Sequence, residues 1–343
     1  MPTEPPKKWS APRMATVDYD LITAARRVIE GALSMVRGER VVIISDGERK
    51  ELALALVEAA AWTNAAAESF DLDSFGKPPL ADLPKAIETA LGKAQASIYV
   101  ARGGSDEVAL RRKIVETAAA HGLRHAHMLG LSARTMAMGL AVDPHRIANT
   151  ARALRARLKP DSIITLGSAA GSDLTVHVSP KHRWVENSGI IRAGRWLNLP
   201  AGELMTAPGS VSGTFVANAS ITQGGDSQLL ADALTLHIDG QRVTRVTSKS
   251  SSLQRSVESF LRGGANQDRV GIVSFGTNVG LSEPTGSLIV DQTLPGLHLA
   301  LGMTLPDLTG ASWDSAGQLV LTAAGADIDI DGQAAMRAGR FIL

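Results

Sequence analysis

The feature that most limits the possible folds is a regular alternation between helical patterns and short β-branched runs, from Asp18 to about Pro160. Ala-rich segments such as LITAARRVIEGALSMV and ERKELALALVEAAAWTN are separated by apolar runs such as RVVIIS and ASIYVA. Strands that alternate with helices in this way pair in parallel through crossover connections. The pattern therefore predicts a Rossmann-like α/β domain with an open, mostly parallel sheet covered by helices.

Beyond Pro160 the pattern changes to short β runs separated by clusters of Gly, Asn and Ser. One clear helical pattern occurs there, SSLQRSVESFLRGG, and the segment IDGQ predicts a tight hairpin because Asp-Gly turns readily adopt positive φ. We therefore predict three segments. They are a flexible tail over 1–15, an α/β domain over 16–160 and a β-rich α+β domain over 161–343.

Composition narrows the classes of partner. Lys and Arg total 35 against 34 Asp and Glu, and this near-zero net charge predicts no nucleic-acid partner. The chain has no cysteine, which excludes disulfides and thiolate metal sites and fits a cytoplasmic location. No apolar run approaches the roughly 18 residues of a membrane span, so we predict no membrane partner.

Two loops in the first half resemble anion sites only in part. ISDGERKE and VARGGSDE each follow a strand and precede a helix, where backbone amides can bind an anion. Neither has the G-x-G-x-x-G spacing of a dinucleotide loop or the G-K-[ST] of a phosphate loop. We interpret their glycines as turn formers. A G-x-S-x-G nucleophile motif is also absent from the sequence.

Histidines give two further candidates. His125 and His127 in RHAH have the i, i+2 spacing that places both rings on one face of a strand, as at the start of a metal site. No acidic residue accompanies them, so we interpret them as polar side chains of an exposed strand face. His298 lies alone in the apolar run LHLALG, and taken alone it indicates a hydrogen-bonded core histidine.

Six motifs occur in a fixed order in the second half of the chain. They are GSAAGSDLTV, GRWLNLPAGELMTAP, VGIVSFGTNVG, LPGLHLALG, SWDSAG and IDIDGQAAMRAGRF. This series resembles the C-terminal half of the M29 metal-dependent aminopeptidases, whose scaffold is shared by iron-dependent dihydroxypyridine dioxygenases. The resemblance is clearest over 130–343, and it implies an M29-like fold with two metal ions bridged by a carboxylate.

The resemblance places six metal-ligand positions on this chain, and three of them carry a ligand. The matching positions are Glu203, His298 and Asp314. The replaced positions are Ile272 for the bridging glutamate, Leu305 for a tyrosine and Ser312 for the last histidine. Because isoleucine offers no donor atom, its place at the bridge removes a ligand of both metals. A two-metal site is therefore not expected.

Two functions fit this incomplete site. The favoured one is a non-catalytic peptide-binding protein without a cofactor, which presents a precursor peptide to a modifying enzyme in the biosynthesis of peptide natural products. The alternative is a mononuclear enzyme, an aminopeptidase-like hydrolase or a ring-cleaving dioxygenase. It would hold a single Zn, Fe or Mn on Glu203, His298 and Asp314, and the possible substitute ligands are His177, His182 and Glu283.

The favoured function implies a cleft that binds an extended peptide. Its predicted contact residues are Glu203, Met205, Thr206, His298, Ser312, Trp313 and Asp314. We expect Glu203 to contact His298, a backbone amide or a basic group of the peptide. The predicted partners are the peptide, a tailoring enzyme, and a second copy or a related subunit that completes a dimer.

Overall fold

The structure, a computed structural model, describes residues 19–343. In the first half the elements are α1 (Tyr19–Arg26), β1 (Arg40–Ser45), α2 (Lys50–Trp62), β2 (Ala66–Asp71), α3 (Lys85–Leu91), β3 (Ala96–Ala101), α4 (Val108–Ala120), β4 (Arg124–Leu129), α5 (Ala133–Gly139) and α6 (Pro144–Arg157). The tail predicted over 1–15 lies outside the described residues.

The second half consists mainly of short strands. Its elements are β5 (Ile163–Ser168), β6 (Asp173–Val178), β7 (Val185–Asn187), β8 (Trp196–Asn198), β9 (Glu203–Thr206), β10 (Pro208–Ala217), β11 (Ser220–Gln223), β12 (Asp226–Leu229), β13 (Leu234–Asp239), β14 (Arg242–Ser248), α7 (Ser251–Leu261), β15 (Val270–Gly276), α8 (Leu288–Asp291), β16 (Gly296–Gly302), α9 (Pro306–Thr309), β17 (Gln318–Leu321), β18 (Ala326–Ile330), β19 (Gln333–Arg337) and β20 (Arg340–Phe341). The change from alternating helices and strands to short strands follows α6, where the sequence pattern also changes.

The four strands of the first half form a parallel sheet that β8 of the second half extends, with the strand order β2-β1-β3-β4-β8. All six residues of β3 are buried, and so are five of the six in β1. Strands read as continuous apolar runs when helices cover both faces of a parallel sheet, so this burial explains the sequence pattern. The predicted α/β fold is confirmed.

Two antiparallel sheets make up the second half. One has eight strands in the order β14-β13-β10-β6-β5-β18-β19-β20, and the other has seven in the order β12-β11-β17-β16-β15-β9-β7. A shared apolar core joins them, with Phe215 and Leu236 from the larger sheet and Phe275, Leu299 and Leu321 from the smaller. This confirms the predicted β-rich half, in which inward-facing side chains alternate along each strand.

Local predictions in the second half also hold. Strands β13 and β14 pair from Asp239 and Arg242 around a two-residue loop, Gly240 and Gln241, with φ of 53° and 75°. The positive φ values fall one residue later than the Asp-Gly pair itself. The predicted helix is α7, which Ser250 caps by accepting a hydrogen bond from the Leu253 amide. Within residues 19–343, every helix is too short or too polar to cross a bilayer.

Contacts between the two halves are extensive. Strand β8 lies in the second half of the chain, yet it pairs with β4 of the parallel sheet. Leu281, Val290 and Leu294 also come from the second half and belong to the apolar core around α1 and α2. The domain boundary near residue 160 stays a prediction, and the halves share one of their cores.

Candidate functional site

Glu203 is the first residue of β9, and its carboxyl group contacts a side chain from the neighbouring strand. Ser274 on β15 donates a hydrogen bond from Oγ to Glu203 Oε1 at 2.8 Å. Glu203 lies directly across from Gly276, which is two residues after Ser274 on β15. The side chains of Glu203 and Ser274 therefore project from the same face of the sheet. Ser274 therefore makes the contact that we expected from His298 or a backbone amide.

Burial sets the protonation behaviour of Glu203. The side chain is half-buried and crowded by protein atoms. Removal from water raises the pKa of the carboxyl group, while the hydrogen bond from Ser274 lowers it, and the first effect is the larger. The neutral form is thus favoured more than it is in a solvated glutamate.

The turn before Glu203 depends on a close backbone approach. Gly202 has φ of 128°, and its carbonyl accepts a hydrogen bond of 2.8 Å from the Thr277 amide. A Cβ atom at this position would lie 2.8 Å from the Asn278 backbone nitrogen. Any side chain here would therefore push the 277–278 segment away. Glycine is required for Glu203 to reach its position beside β15.

His298 lies on β16 directly across from Ser274, and its ring is 1% exposed. Nε2–H donates to the Leu294 carbonyl at 2.8 Å, and Nδ1 accepts from the Ala323 amide at 3.3 Å. Burial lowers the pKa of His298 to about 4. The imidazole is neutral at pH 7 and both of its nitrogens have partners, as expected of a hydrogen-bonded core histidine.

Asp314 and Trp313 lie in the loop that follows β16 and α9. Asp314 Oδ1 accepts hydrogen bonds from the Thr304 amide at 2.7 Å and from the Thr304 hydroxyl at 3.2 Å. The Trp313 ring lies under the guanidinium of Arg269, with 3.9 Å between the ring centroid and Cζ. Ser312 is exposed and makes no described contact with this group. The loop is thus held by its own polar contacts.

The structure separates these residues between the two ends of β16. Gly296, at the start of the strand, pairs with Gly276, which pairs with Glu203 on its other side. Gly302, at the end of β16, is two residues before Thr304, whose amide donates a hydrogen bond to Asp314. The six-residue step from Gly296 to Gly302 spans about 20 Å along the strand. Over residues 19–343, no three His, Asp or Glu side chains lie close enough together to hold a metal ion.

The three retained ligand positions therefore do not fit a single ion in this arrangement. Glu203 is bonded to Ser274, both nitrogens of His298 are occupied, and Asp314 is bonded to Thr304. The substitute candidates lie elsewhere: His177 is exposed on β6, and the exposed Glu283 lies 3.8 Å from Arg134. His182 donates from Nδ1 to the Ala207 carbonyl at 2.8 Å.

Two solved structures share this fold. The 2,5-dihydroxypyridine dioxygenase from Pseudomonas putida KT2440 superposes with a TM-score of 0.65 and 18% identity, over 94% of this chain and 96% of its own. AmpT from Thermus thermophilus superposes with a TM-score of 0.58 and 16% identity, over 94% and 99%. The chain has the M29-like scaffold. At these identities the likeness shows the fold alone, and it confirms the scaffold expected from the ordered motifs.

No protein-family model matches the chain, and no curated protein matches it either. The residues at the replaced positions must therefore be judged from their surroundings. On the M29-like scaffold Ile272 is 3% exposed and lies across from Ala300 on β16. Leu305 is half-buried with φ of 53°, at the start of α9. An aliphatic side chain thus occupies each of these positions.

The remaining predicted contact residues lie on β9. Met205 is half-buried, lies across from Ser274 and shares the face of Glu203. Thr206 points to the other face and has no exposed surface, and its hydroxyl donates to the Arg183 carbonyl at 3.0 Å. Met205 can therefore contact a ligand beside Glu203, whereas Thr206 supports the strand from behind.

Ser274 and Asn187 are the site residues that the sequence reasoning missed. Asn187 lies on β7 directly across from Glu203, and its Oδ1 atom is buried without a hydrogen-bond partner among the described residues. Its Nδ2 donates to the Asn198 carbonyl at 3.1 Å. Alternation along β15 places Ser274 on the face of Ile272, but only the pairing of β7, β9 and β15 brings these residues together.

The Asp46 side chain connects the two loops at the carboxyl ends of β1 and β3. Asp46 accepts hydrogen bonds from the Arg49 amide at 3.0 Å and from the Arg102 amide at 2.7 Å. Gly103 has φ of 77°, so its lack of a side chain permits the turn. Asp46 thus bonds one amide in each loop, which supports the interpretation of the loops as turns.

The exposed strand face predicted for His125 and His127 is wrong, because the two residues are only 1% and 6% exposed. His125 Nδ1 lies 2.8 Å from Ser97 Oγ, and its Nε2 lies 3.2 Å from His127 Nδ1. The His127 ring stacks on Tyr99 at 5.1 Å between centroids. Burial lowers the pKa of His125 to about 3 and that of His127 to about 4. Both rings are neutral members of the core.

Proposed function

We propose that the chain is a non-catalytic peptide-binding protein on an aminopeptidase-like scaffold. The observation that carries this proposal is the arrangement of Glu203, Ser274 and His298 on one sheet face. Each retained ligand position there is bonded to another protein group, and the buried Ile272 fills with methyl groups the position where the resemblance places the bridging carboxylate. The half-buried Glu203 and Met205 beside this filled position suit a ligand held by hydrogen bonds and apolar contact.

Unused polar atoms beside Glu203 support a ligand at this face. The Asn187 Oδ1 atom is buried and lacks a donor, and Glu203 Oε2 has no described hydrogen-bond partner. Buried polar atoms in folded proteins are nearly always hydrogen-bonded, so an N–H donor from a ligand or a water would complete this pair. Peptide amides and amino groups are donors of this kind.

An extended peptide also has an edge to pair with. Strand β7 is the outermost strand of the seven-stranded sheet, and it pairs only with β9 among the described strands. Its three residues lie beside Glu203 and Met205. A peptide added to this edge would place alternate side chains over the face that carries Glu203. We propose that the bound peptide is a precursor presented to a modifying enzyme.

The test begins with a random peptide library displayed on phage and selected on the immobilised protein. A synthetic copy of the enriched peptide is then titrated by calorimetry, with and without EDTA. We expect micromolar binding that EDTA does not change, and mass spectrometry should recover the peptide intact. Glu203→Gln should weaken binding about tenfold, since it removes a charged acceptor. Glu51→Gln, which removes an exposed charge on α2 away from this edge, is the matched control and should leave binding unchanged.

Metal analysis of the purified protein tests the alternative, a single-metal enzyme. Stoichiometric zinc, iron or manganese that is lost from Glu203→Ala or His298→Ala would overturn the proposal. Turnover of the peptide or of 2,5-dihydroxypyridine by the metal-loaded protein would do the same, and it would favour the single-metal enzyme. Light scattering at several protein concentrations tests the further expectation of a homodimer, or of a heterodimer once a related subunit is added.

A further inference from the structure

A concave site lies at the end of the seven-stranded sheet where β15 ends and β16 begins. It is a cavity of about 470 Å³, walled by the segments that follow β15 and precede β16, together with the turn into β20. Its apolar lining includes Val279, Leu281, Leu294, Pro295 and Phe341. This volume lies within the usual range of ligand pockets and accommodates one or two residues of a peptide.

The walls of this cavity are fixed by hydrogen bonds. The His298 ring joins two of them, because it bonds the Leu294 carbonyl on one side and the Ala323 amide on the other. The β20 turn is held by the Gly339 amide, which donates to the Ala326 carbonyl at 2.8 Å. The cavity is therefore formed before any ligand arrives, which lowers the entropy lost on binding.

One cation at the cavity stands out because it lacks a partner. Arg340 is exposed on β20 and lines the cavity, and within residues 19–343 its guanidinium makes neither an ion pair nor a side-chain hydrogen bond. Its cross-strand neighbour Arg337 is different, since it bonds Asp329 at 2.6 Å. Of the two arginines in this hairpin, the one at the cavity is free to bind an anion.

We propose that this cavity binds the C-terminal residue of a peptide. The apolar side chain of that residue packs against Leu281 and Phe341, and its terminal carboxylate binds Arg340. A C-terminal residue carries both groups on adjacent atoms, whereas an internal Asp or Glu supplies the charge without the apolar body. The choice of a peptide as the occupant rests on the proposed function.

The probe is N-acetyl-Ala-Leu, compared as the free acid and as the C-terminal amide. Titrations followed by amide NMR shifts give both the affinity and the location, through the amides of Val279 and Gly339. We expect the acid to bind about tenfold more tightly than the amide, because the guanidinium forms an ion pair only with the acid. Equal affinities for the acid and the amide would overturn the proposal, and so would shifts confined to other residues.

Variants at Arg340 give the matched comparison. Arg340→Gln should reduce the affinity for the acid about tenfold, to that of the amide, while Arg340→Lys should keep part of the preference. Arg262→Gln removes an equal charge at an exposed position after α7 and should change neither affinity. A preference for the acid that survives Arg340→Gln would contradict the assignment. Tighter binding of hexanoate than of the dipeptide acid would overturn the peptide as occupant.

The two proposals can fail separately. Loss of binding to the phage-selected peptide, together with a retained acid preference at Arg340, would overturn the peptide-presenting function and leave the carboxylate site. Binding of the selected peptide that depends on Glu203 but is indifferent to Arg340 and to C-terminal amidation would overturn the cavity assignment alone.

Discussion

The two ends of strand β16 hold carboxyl groups in opposite ways. At one end, Glu203 is half-buried and bonded to Ser274, and burial raises its pKa. At the other end, Asp314 is exposed and binds both the amide and the hydroxyl of Thr304. The Asp314 carboxylate stabilises a loop, whereas the Glu203 carboxyl group lies where its ionisation is unfavourable. A charge kept under such conditions points to a function at the Glu203 end.

Acid should reduce the stability of the folded protein, and this is the largest effect that we expect. His298 has a pKa of about 4 in the folded protein against 6.5 for an ordinary histidine, so the unfolded chain binds protons first as the pH falls. Stability should be complete above pH 6.5 and should decrease toward pH 4. The shift of His298 corresponds to about 3 kcal/mol.

Urea unfolding between pH 4 and pH 8 measures this loss. His125 and His127 contribute in the same direction, because burial lowers the pKa of each. The matched variant His298→Gln removes one of the three groups and should flatten the profile. A profile identical to that of the wild type would show that His298 is charged or solvated in the folded protein.

His298→Ala at pH 7 should reduce the free energy of unfolding by about 3 kcal/mol. The substitution leaves a cavity and removes the partners of the Leu294 carbonyl and the Ala323 amide. His177→Ala, at an exposed position on β6, should change stability by less than about 0.5 kcal/mol. If both substitutions reduced the free energy of unfolding equally, His298 would not be a buried core histidine that differs from the exposed His177.

Asp314→Ala should reduce stability by about 1.5 kcal/mol, because it leaves the buried Thr304 amide without its acceptor. Asp314→Asn keeps an oxygen at the same place and should lose less. Neither change should alter binding of the phage-selected peptide. If Asp314→Ala weakened that binding as much as Glu203→Gln does, the two ends of β16 would have to act as one site.

Glu203→Gln should have the smallest effect on stability, and with the opposite sign. Because the folded pKa of Glu203 is raised above its ordinary value of 4.5, ionisation destabilises the folded state as the pH rises past that value. Glutamine removes this cost, so we expect a gain of about 1 kcal/mol or less at pH 7 that disappears below about pH 4.5. A loss of stability at pH 7 would indicate that the charged carboxylate is itself stabilising.

The fold was accessible from the sequence because its signals are local. Alternating helical and β-branched segments predict the parallel sheet, and the Asp-Gly turn predicts the β13–β14 hairpin within one residue. The ordered motifs predict the shared scaffold. These patterns depend on neighbours a few residues apart, and long-range packing reinforces them.

The site was accessible only in part, because its contacts join distant segments. Ser274 lies 71 positions from Glu203 in the chain, and no local pattern pairs β9 with β15. The burial of His127 likewise depends on Tyr99 from one strand and Trp196 from another. A polar residue whose sequence pattern predicts exposure can thus be buried, because other strands supply its hydrogen bonds and aromatic contacts.

Strand β8 has a mechanical consequence for the molecule. The His125 amide bonds the Arg195 carbonyl at 3.0 Å, and the Leu199 amide bonds the His127 carbonyl at 2.9 Å. Glu203 follows only four residues after Leu199. Rotating one half against the other about residue 160 would have to break this pairing. The pairing of β8 with β4 therefore resists a hinge movement between the two halves near residue 160.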